Sequence, residues 1–332
     1  MAKPLLLGIE IGGTKLQLGL GHGDGRIAAL ERRTVVPAEG AEGIRAQIAA
    51  AIGPLLDRVG LTPGAGALGA AGVGFGGPVD ADRGLVSTSH QIDGWDRFPL
   101  ADWLRKIARV ERVSVQNDAD TAALAEAHFG AGVGHSPLLY VTVGSGIGGG
   151  LVLDGRIYRG AGAGAMEIGH IWVIDRSDAD LGVVTLEQAA SGWAIAASAR
   201  AYAERISAEG RGDDWEVLRR AGGEPSAITT RNVAEAAREG DLEARLLLDR
   251  AVHAMAHGLA QAVTLVAPTR IILGGGVSLI GEDLWLAPIR DQLDHLVFSS
   301  FRGKFDLVGA ALGEEVVVQG ALVLAREALA AP

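Results

Sequence analysis

A glycine-tipped apolar hairpin that the chain carries twice constrains its fold more than any other feature. From Leu138 to Ile157, LLYVTVGSGIGGGLVLDGRI, an apolar run ends in Gly144-Ser145-Gly146, turns through Gly148-Gly149-Gly150 and resumes as the alternating Leu151-Val152-Leu153. Such a pattern reads as two strands joined by a tight turn. Five glycines in seven residues leave the backbone without Cβ atoms, so amide N–H groups can approach a bound group closely. Ser145 adds a hydroxyl donor, and the combination suits the oxygens of a phosphate. Glycine clusters also serve plain turns and bulges, so one copy leaves both readings open. The segment Leu5 to Ile27, LLLGIEIGGTKLQLGLGHGDGRI, repeats the plan, with Gly12-Gly13-Thr14 at its turn and Gly25-Arg26-Ile27 where the second copy has Gly155-Arg156-Ile157. Two such hairpins predict an internal duplication and a nucleotide held in the cleft between two domains. Neither is a P-loop or a dinucleotide fingerprint, because both turns lead into strand-patterned residues instead of a helix.

The totals agree with two domains. A chain of 332 residues with 48% hydrophobic content exceeds a typical single domain and has apolar surface for two cores. The 49 glycines are spread along the sequence without a collagen period, so they serve turns and close backbone approach. A net charge of −10 with no basic block argues against a nucleic-acid surface. With no cysteine, disulfides, thiolate catalysis and cysteine zinc sites are excluded. No signal-peptide layout follows Met1, and no apolar run approaches the roughly 20 residues that span a bilayer, so cytoplasm is the expected location.

Taken in order, Glu10 closes the first strand two residues before the glycine pair. A carboxylate there either holds Mg²⁺ through water, as proteins often present it to phosphates, or faces solvent. Thr14 and Lys15 are phosphate-donor candidates. Residues 38–60 read as an amphipathic scaffold helix on Ile44, Ile48, Ile52 and Leu56. GAAGVGFGGPVD, Gly69 to Asp80, is a strand ending in Gly76-Gly77-Pro78, at the strand end where open α/β sheets place ligands. In the following loop Gln91 and Asp93 either read sugar hydroxyls or belong to a structural turn anchored by Trp95. A short strand then delivers Asn117 and Asp118 to the start of an alanine-rich helix. Asp118 is either an N-cap or a general base that accepts a substrate hydroxyl proton during phosphoryl transfer, with Asn117 orienting that hydroxyl. Asp120 and Glu126 read as capping and surface residues. Glu167 and His170 can hydrogen-bond neighbouring hydroxyls or form an ordinary satisfied pair, and Glu187 reads as a first-turn carboxylate opening the single helical segment EQAASGWAIAASARAYAERI. Residues 207–229 read as a surface excursion. His253 and His257, one helical turn apart, lack a third ligand for a metal. IILGGGV, Ile271 to Val277, is a buried strand running into glycines where an adenine or ribose can lie against the backbone.

These motifs, in this order, resemble the ROK sugar kinases. GIEIGGTK and VGSGIGGG resemble the two phosphate motifs of the family, IILGGGV its adenosine motif, and GGPVD and HQIDGW its sugar loops. The resemblance implies an α/β, two-domain actin-like ATPase (ribonuclease H-like) fold with duplicated halves around a nucleotide cleft. It makes Asp118 the catalytic base and Gly77, Gln91, Asn117, Asp118, Glu167, His170 and Glu187 sugar-binding. Glu10, Gly12, Gly13, Thr14, Lys15, Gly144, Ser145, Gly146, Gly274, Gly275 and Gly276 would bind the nucleotide, with Mg²⁺ held by Glu10 through water. Five departures stand out, the first being Ser145 in place of the usual threonine of the second phosphate motif. Glu10 replaces a commoner aspartate, Gln91 an asparagine and Met166 a glycine. Asp178, Asp180 and Thr185 stand where the family's zinc loop has cysteines, so no structural zinc is expected.

The resemblance further implies an ATP- and Mg²⁺-dependent kinase that converts glucose to glucose 6-phosphate, acting as a cytoplasmic homodimer with no nucleic-acid or membrane partner. The alternatives are a kinase for fructose, allose, N-acetylmannosamine or another hexose, the use of polyphosphate as donor, or a sugar sensor without catalysis. The expected domains are 1–116, with a C-terminal helix near 319–332 packing back on it, and 117–318. The first strand begins by Leu5, leaving no room for the N-terminal helix-turn-helix of the family's repressors.

Overall fold

The computed structural model describes residues 3–62, 64, 66–89, 91–161, 164–175 and 182–331. The first hairpin forms strands β1 (Leu6–Ile11) and β2 (Lys15–Gly21), and β3 (Ile27–Thr34) follows. Helix α1 (Gly40–Asp57) buries Ile44, Ile48, Ile52 and Leu56, as their four-residue spacing predicts. Strand β4 (Ala70–Phe75) precedes a short pair, β5 (Val79–Asp80) and β6 (Leu85–Val86). Helix α2 (Leu100–Ala108), β7 (Arg112–Asn117) and α3 (Asp118–Phe129) come next. The second hairpin gives β8 (Leu138–Val143) and β9 (Ile147–Leu153), then β10 (Arg156–Ile157). A separate pair, β11 (Trp172–Asp175) and β12 (Gly182–Thr185), leads to helices α4 (Leu186–Ala190), α5 (Gly192–Ala208), α6 (Glu216–Arg220), α7 (Thr230–Arg238) and α8 (Leu242–Val266). Strand β13 (Arg270–Gly274), α9 (Ala287–Leu296), β14 (Asp306–Gly309) and α10 (Val316–Ala330) complete the order.

Two five-stranded sheets share one topology. Their orders are β3-β2-β1-β4-β7 and β10-β9-β8-β13-β14, so each runs third, second, first, fourth and fifth strand of its copy. In the first, β2 pairs antiparallel with both β1 and β3, while β4 pairs parallel with β1 and β7. In the second, β9 and β10 are antiparallel and β13 and β14 parallel. The duplication expected from the glycine hairpins is present in the strand order.

The chain divides into two compact units. The first comprises Met1–Tyr140, Gly150–Met166 and Ala310–Pro332, and the second Val141–Gly149 and Glu167–Gly309. In the first, Ile9, Leu18 and Val73 of the sheet join Ile48 of α1 and Leu104 of α2 in one core, each large aliphatic side chain contributing roughly 1.5–3 kcal/mol by leaving water. Helix α10 packs against β1, β4 and α3, and glycine makes the approach possible. A Cβ on Gly72 would lie 1.9 Å from Ala321 O, and one on Gly320 would lie 1.9 Å from Thr121 O. In the second unit α8 buries Leu248, Val252, Met255, Leu259 and Val263, with α4, α5, α7 and α9 packed against it. Among the described residues no helix is long and apolar enough to cross a membrane.

Four local expectations are corrected. The second hairpin turns at Gly144–Gly146, and Gly148–Gly150 already belong to β9, because glycine permits a turn without enforcing one. Ser191 divides the segment after Glu187 into α4 and α5, its hydroxyl accepting from Ala194 N. Residues 207–229 are more than a surface excursion, since Trp215, Val217 and Leu218 around α6 are buried. Asp120 and Glu126 are also buried, Glu126 completely. Its carboxylate accepts from Ala131 N (2.7 Å), Ala311 N (2.8 Å) and Leu312 N (2.9 Å), fastening the segment that enters α10.

Candidate active site

The first unit gathers one half of the predicted residues. Antiparallel pairing of β1 and β2 places Glu10 opposite Gln17, and the turn closes with Gly12 N donating to Lys15 O at 2.9 Å. Glu10 is buried, and both its oxygens are engaged. Lys15 Nζ lies 3.1 Å from Oε1, and Gln17 Nε2 donates to Oε2 at 2.7 Å. Burial pushes the Glu10 carboxyl above its ordinary range, and the Lys15 ammonium and the Gln17 amide pull back against it. Lys15 and Gln17 also donate to Glu314 O, at 3.2 and 2.9 Å. Thr14 is exposed at the turn. Gln17 is completely buried and organises this network, a role the sequence hides because glutamine in an alternating strand reads as a solvent-side residue.

Asp118 lies beside that turn. A methyl group on Gly76 would sit 3.4 Å from Asp118 Oδ2, 3.3 Å from Ile11 O and 3.5 Å from Gly12 Cα, so the carboxylate, the β4 loop and the first glycine turn meet at one point. The N-cap of α3 is Asn117, whose Oδ1 accepts from Ala119 N at 2.8 Å. Asp118 therefore takes the first helical position instead of the cap, where the helix dipole favours a carboxylate, and its Oδ1 also accepts from Ala119 N at 2.8 Å. Asn117 Nδ2 donates to Gly77 O at 3.2 Å. Both ends of this amide are thus committed to protein groups that fix Asp118 and the Gly77 loop. Gln91 lies against the glycine turn: a Cβ on Gly13 would fall 1.6 Å from its Oε1. Trp95 anchors the loop in the core, edge-on to Phe75 at 5.3 Å and Phe98 at 5.4 Å. Asp93 contributes its carbonyl to Ala41 N at 2.9 Å. His90, in the same loop, lies outside the described residues.

The second unit gathers the other half around Gly144–Gly146. Gly144 N donates to Gly146 O at 2.9 Å, and Gly192 N and Trp193 N, opening α5, donate to Gly144 O (2.8 Å) and Ser145 O (3.3 Å). Ser145 is exposed at the tip. Glu187 Oε2 accepts from Ile147 N at 2.8 Å, and a Cβ on Gly146 would lie 2.4 Å from the same oxygen. Glu167 and His170 bracket a short 3₁₀ turn whose Gly169 approaches Ile147 O so closely that a Cβ would be 2.2 Å from it. Both side chains are exposed. Gly275, with φ +83°, fits against Val143 at the end of β8. A cavity of about 680 Å³ opens beside Gly144 and Ser145, walled by α5, α7 and the turn from Gly276 to Ile280. Trp193, Arg200, Thr230 and Arg238 line it. Sequence reading missed them because they come from separate elements.

The sequence profile of the ROK family matches residues 6–328. The chain belongs to the ROK family. It is 31% identical to the glucokinase of Thermotoga maritima, covering 98% of this chain and 99% of that protein, and 34% identical to the glucokinase of Streptomyces coelicolor, covering 97% and 98%. The solved ROK family glucokinase of Streptomyces griseus, in complex with glucose and AMPPNP, superposes with a TM-score of 0.79 at 33% identity, covering 97% of this chain and 99% of that one. The ROK hexokinase of Thermus thermophilus gives 0.77 at 28% identity, covering 97% of each. This ROK chain therefore has the α/β actin-like ATPase fold. Of the three residues that the resemblance sets at the family's zinc-loop cysteines, Thr185 caps α4 in a capping box with Gln188. Asp178 and Asp180 lie outside the described residues. His253 Nδ1 lies 2.8 Å from Gln292 Oε1.

Proposed function

We propose that the protein is an ATP-dependent glucose kinase that transfers the γ-phosphoryl group of ATP to the 6-hydroxyl of glucose. The observation that carries this reading is Asp118: a half-buried carboxylate at the start of α3, fixed by Ala119 N and set beside Gly76 and the Gly12 turn. A carboxylate held in this way accepts the hydroxyl proton as the sugar oxygen bonds to phosphorus, the bond from phosphorus to the bridging oxygen breaks, and ADP leaves with those electrons. The backbone around Gly12–Lys15 and Gly144–Gly146 supports phosphate binding, with Lys15 and Ser145 as side-chain donors. Gly77, Gln91, Asn117, Glu167, His170 and Glu187 hold or brace the sugar, and Gly274–Gly276 receives the adenosine. The near full-length likeness to two glucokinases, and to one solved with glucose and AMPPNP, supports both substrates.

Mg²⁺ is part of this reading. A carboxylate oxygen is the right donor for so hard an ion, and Glu10 Oε1 is met by the Lys15 ammonium, a cation on a partly exposed side chain that an incoming ion can exchange. Glu10 thus fits Mg²⁺ held through water, and the ion supplies charge neutralisation of the phosphate oxygens when bound. Action as a cytoplasmic homodimer rests on family resemblance. The substitution Asp118→Ala tests the central role: turnover is expected to fall by at least roughly a hundred-fold, the lower range for general base catalysis, with glucose affinity by calorimetry within a few-fold of wild type. Unchanged turnover would remove Asp118 from the mechanism.

A further inference from the structure

Helix α1 reads as scaffold in the sequence, yet one of its side chains serves the loop that carries Gln91. That loop closes its own base. Val86 N donates to Phe98 O at 3.0 Å, Arg97 N to Ser87 O at 3.2 Å, and Thr88 Oγ1 to Asp96 Oδ1 at 2.8 Å. Its tip leans on α1. Ala41 N donates to Asp93 O at 2.9 Å, and the Arg45 guanidinium lies over two rings, 4.5 Å from the centroid of Phe98 and 5.5 Å from that of Trp95. Arg45 Nη1 also reaches Gly94 O at 3.5 Å, a long bond that leaves the ring faces as its main hold. The rings under Arg45 lead to the site. Trp95, 1% exposed, stands edge-on to Phe98 and to Phe75, the last residue of β4. Gly76 follows directly, and Gln91 and Trp95 meet Gly12, Gly13 and Gly76 around one small recess. Arg45 thus supports the loop from behind, while the glycine turn closes independently through Gly12 N and Lys15 O.

We propose that Arg45 is a positioning residue for the sugar: by capping Phe98 and Trp95 it fixes the tip of the loop, so that Gln91 is set against Gly13 in the orientation that binds a hexose. The proposal rests on the reading of Gln91 as a sugar contact in a glucose kinase. Arg45 acts through the loop and not by contact with the sugar. A group that orders a binding loop before the ligand arrives raises affinity by removing the ordering cost. Its loss therefore appears in sugar binding, with the chemical step intact.

The test is glucose calorimetry, steady-state kinetics and thermal melting on the full chain, for wild type, Arg45→Met, Arg45→Lys, Phe98→Leu and the Arg45→Met, Phe98→Leu double variant. Methionine keeps the length of the side chain without its charge, and lysine keeps a cation over the rings without the fork that reaches Gly94. Arg45→Met is expected to weaken glucose binding and raise the glucose KM by about three- to thirty-fold, the span of a cation–π contact. The kcat and the KM for ATP should stay within about two-fold of wild type. Arg45→Lys should recover most of the loss. Phe98→Leu should weaken glucose comparably, and adding Arg45→Met to it should cost little more, because both remove one contact. A lower melting temperature for Arg45→Met with glucose affinity as in wild type overturns the proposal and leaves the kinase reading intact. Equal losses in kcat and in ATP binding, or fully additive losses in the double variant, overturn it as well. No glucose binding by wild type overturns this proposal together with the kinase reading.

Discussion

Glu10 is a carboxylate kept where a carboxylate is costly, with Lys15 and Gln17 each holding one of its oxygens. Because its folded-state pKa is raised, its ionised form opposes folding once the pH exceeds that raised value, and the penalty fades as the pH falls toward the ordinary carboxylate range. Glu10→Gln removes the charge and keeps an acceptor for Gln17. The variant is expected to melt at the same or a higher temperature at pH 7, with the difference shrinking on acidification, while the Mg²⁺ concentration for half-maximal turnover rises several-fold. An unaltered Mg²⁺ dependence would take Glu10 out of the metal's environment. Met166, just before Glu167, adopts φ +63°, a conformation that costs an L-residue roughly 1–2 kcal/mol and glycine almost nothing. Met166→Gly should raise the melting temperature by about 1–3 °C after its larger unfolded-state entropy is counted. A fall of several degrees would show that the methionine side chain carries packing that outweighs the strain.

The elements that carry the site were legible where local chemistry is severe. Glycine clusters after apolar runs gave both hairpins, and a strand passing into Asn117-Asp118 gave the start of α3. What stayed hidden depends on contacts distant in sequence. Glu126 sits in an alanine-rich helix and reads as surface until Ala311 and Leu312 arrive to donate to it. Glu187 reads as a helix-dipole residue, yet its carboxylate braces the second hairpin through Ile147 N. The same contact supplies a prediction for this element. In Gly146→Ala the new methyl would fall 2.4 Å from Glu187 Oε2, displacing the carboxylate and freeing the Ile147 amide. Because the displaced atom ends a flexible side chain, the fold should survive, with a loss of about 1–3 kcal/mol from the unpaired amide. Steady-state kinetics should show the KM for ATP raised about ten-fold or more. An unchanged KM would mean that the brace has no bearing on donor binding.

At the scale of the molecule, one strand order used twice explains why glycine hairpins occur at the head of each copy. Overall charge is a poor guide to the ligand here. The protein carries −10, yet the cavity in its second unit is lined by Arg200, Arg231 and Arg238 against Glu235, a local excess of positive charge that suits an anionic donor. That locality is why a net charge that argues against a nucleic-acid surface gives no indication of where phosphate goes. The measurement that bears most directly on the account is ADP release from ATP and Mg²⁺ across a panel of hexoses and N-acetylhexosamines, on protein purified without added zinc. Turnover is expected with glucose above the other sugars. No turnover with any sugar, alongside clear glucose binding by calorimetry, would contradict the kinase assignment and leave a sugar-binding protein that does not transfer phosphate.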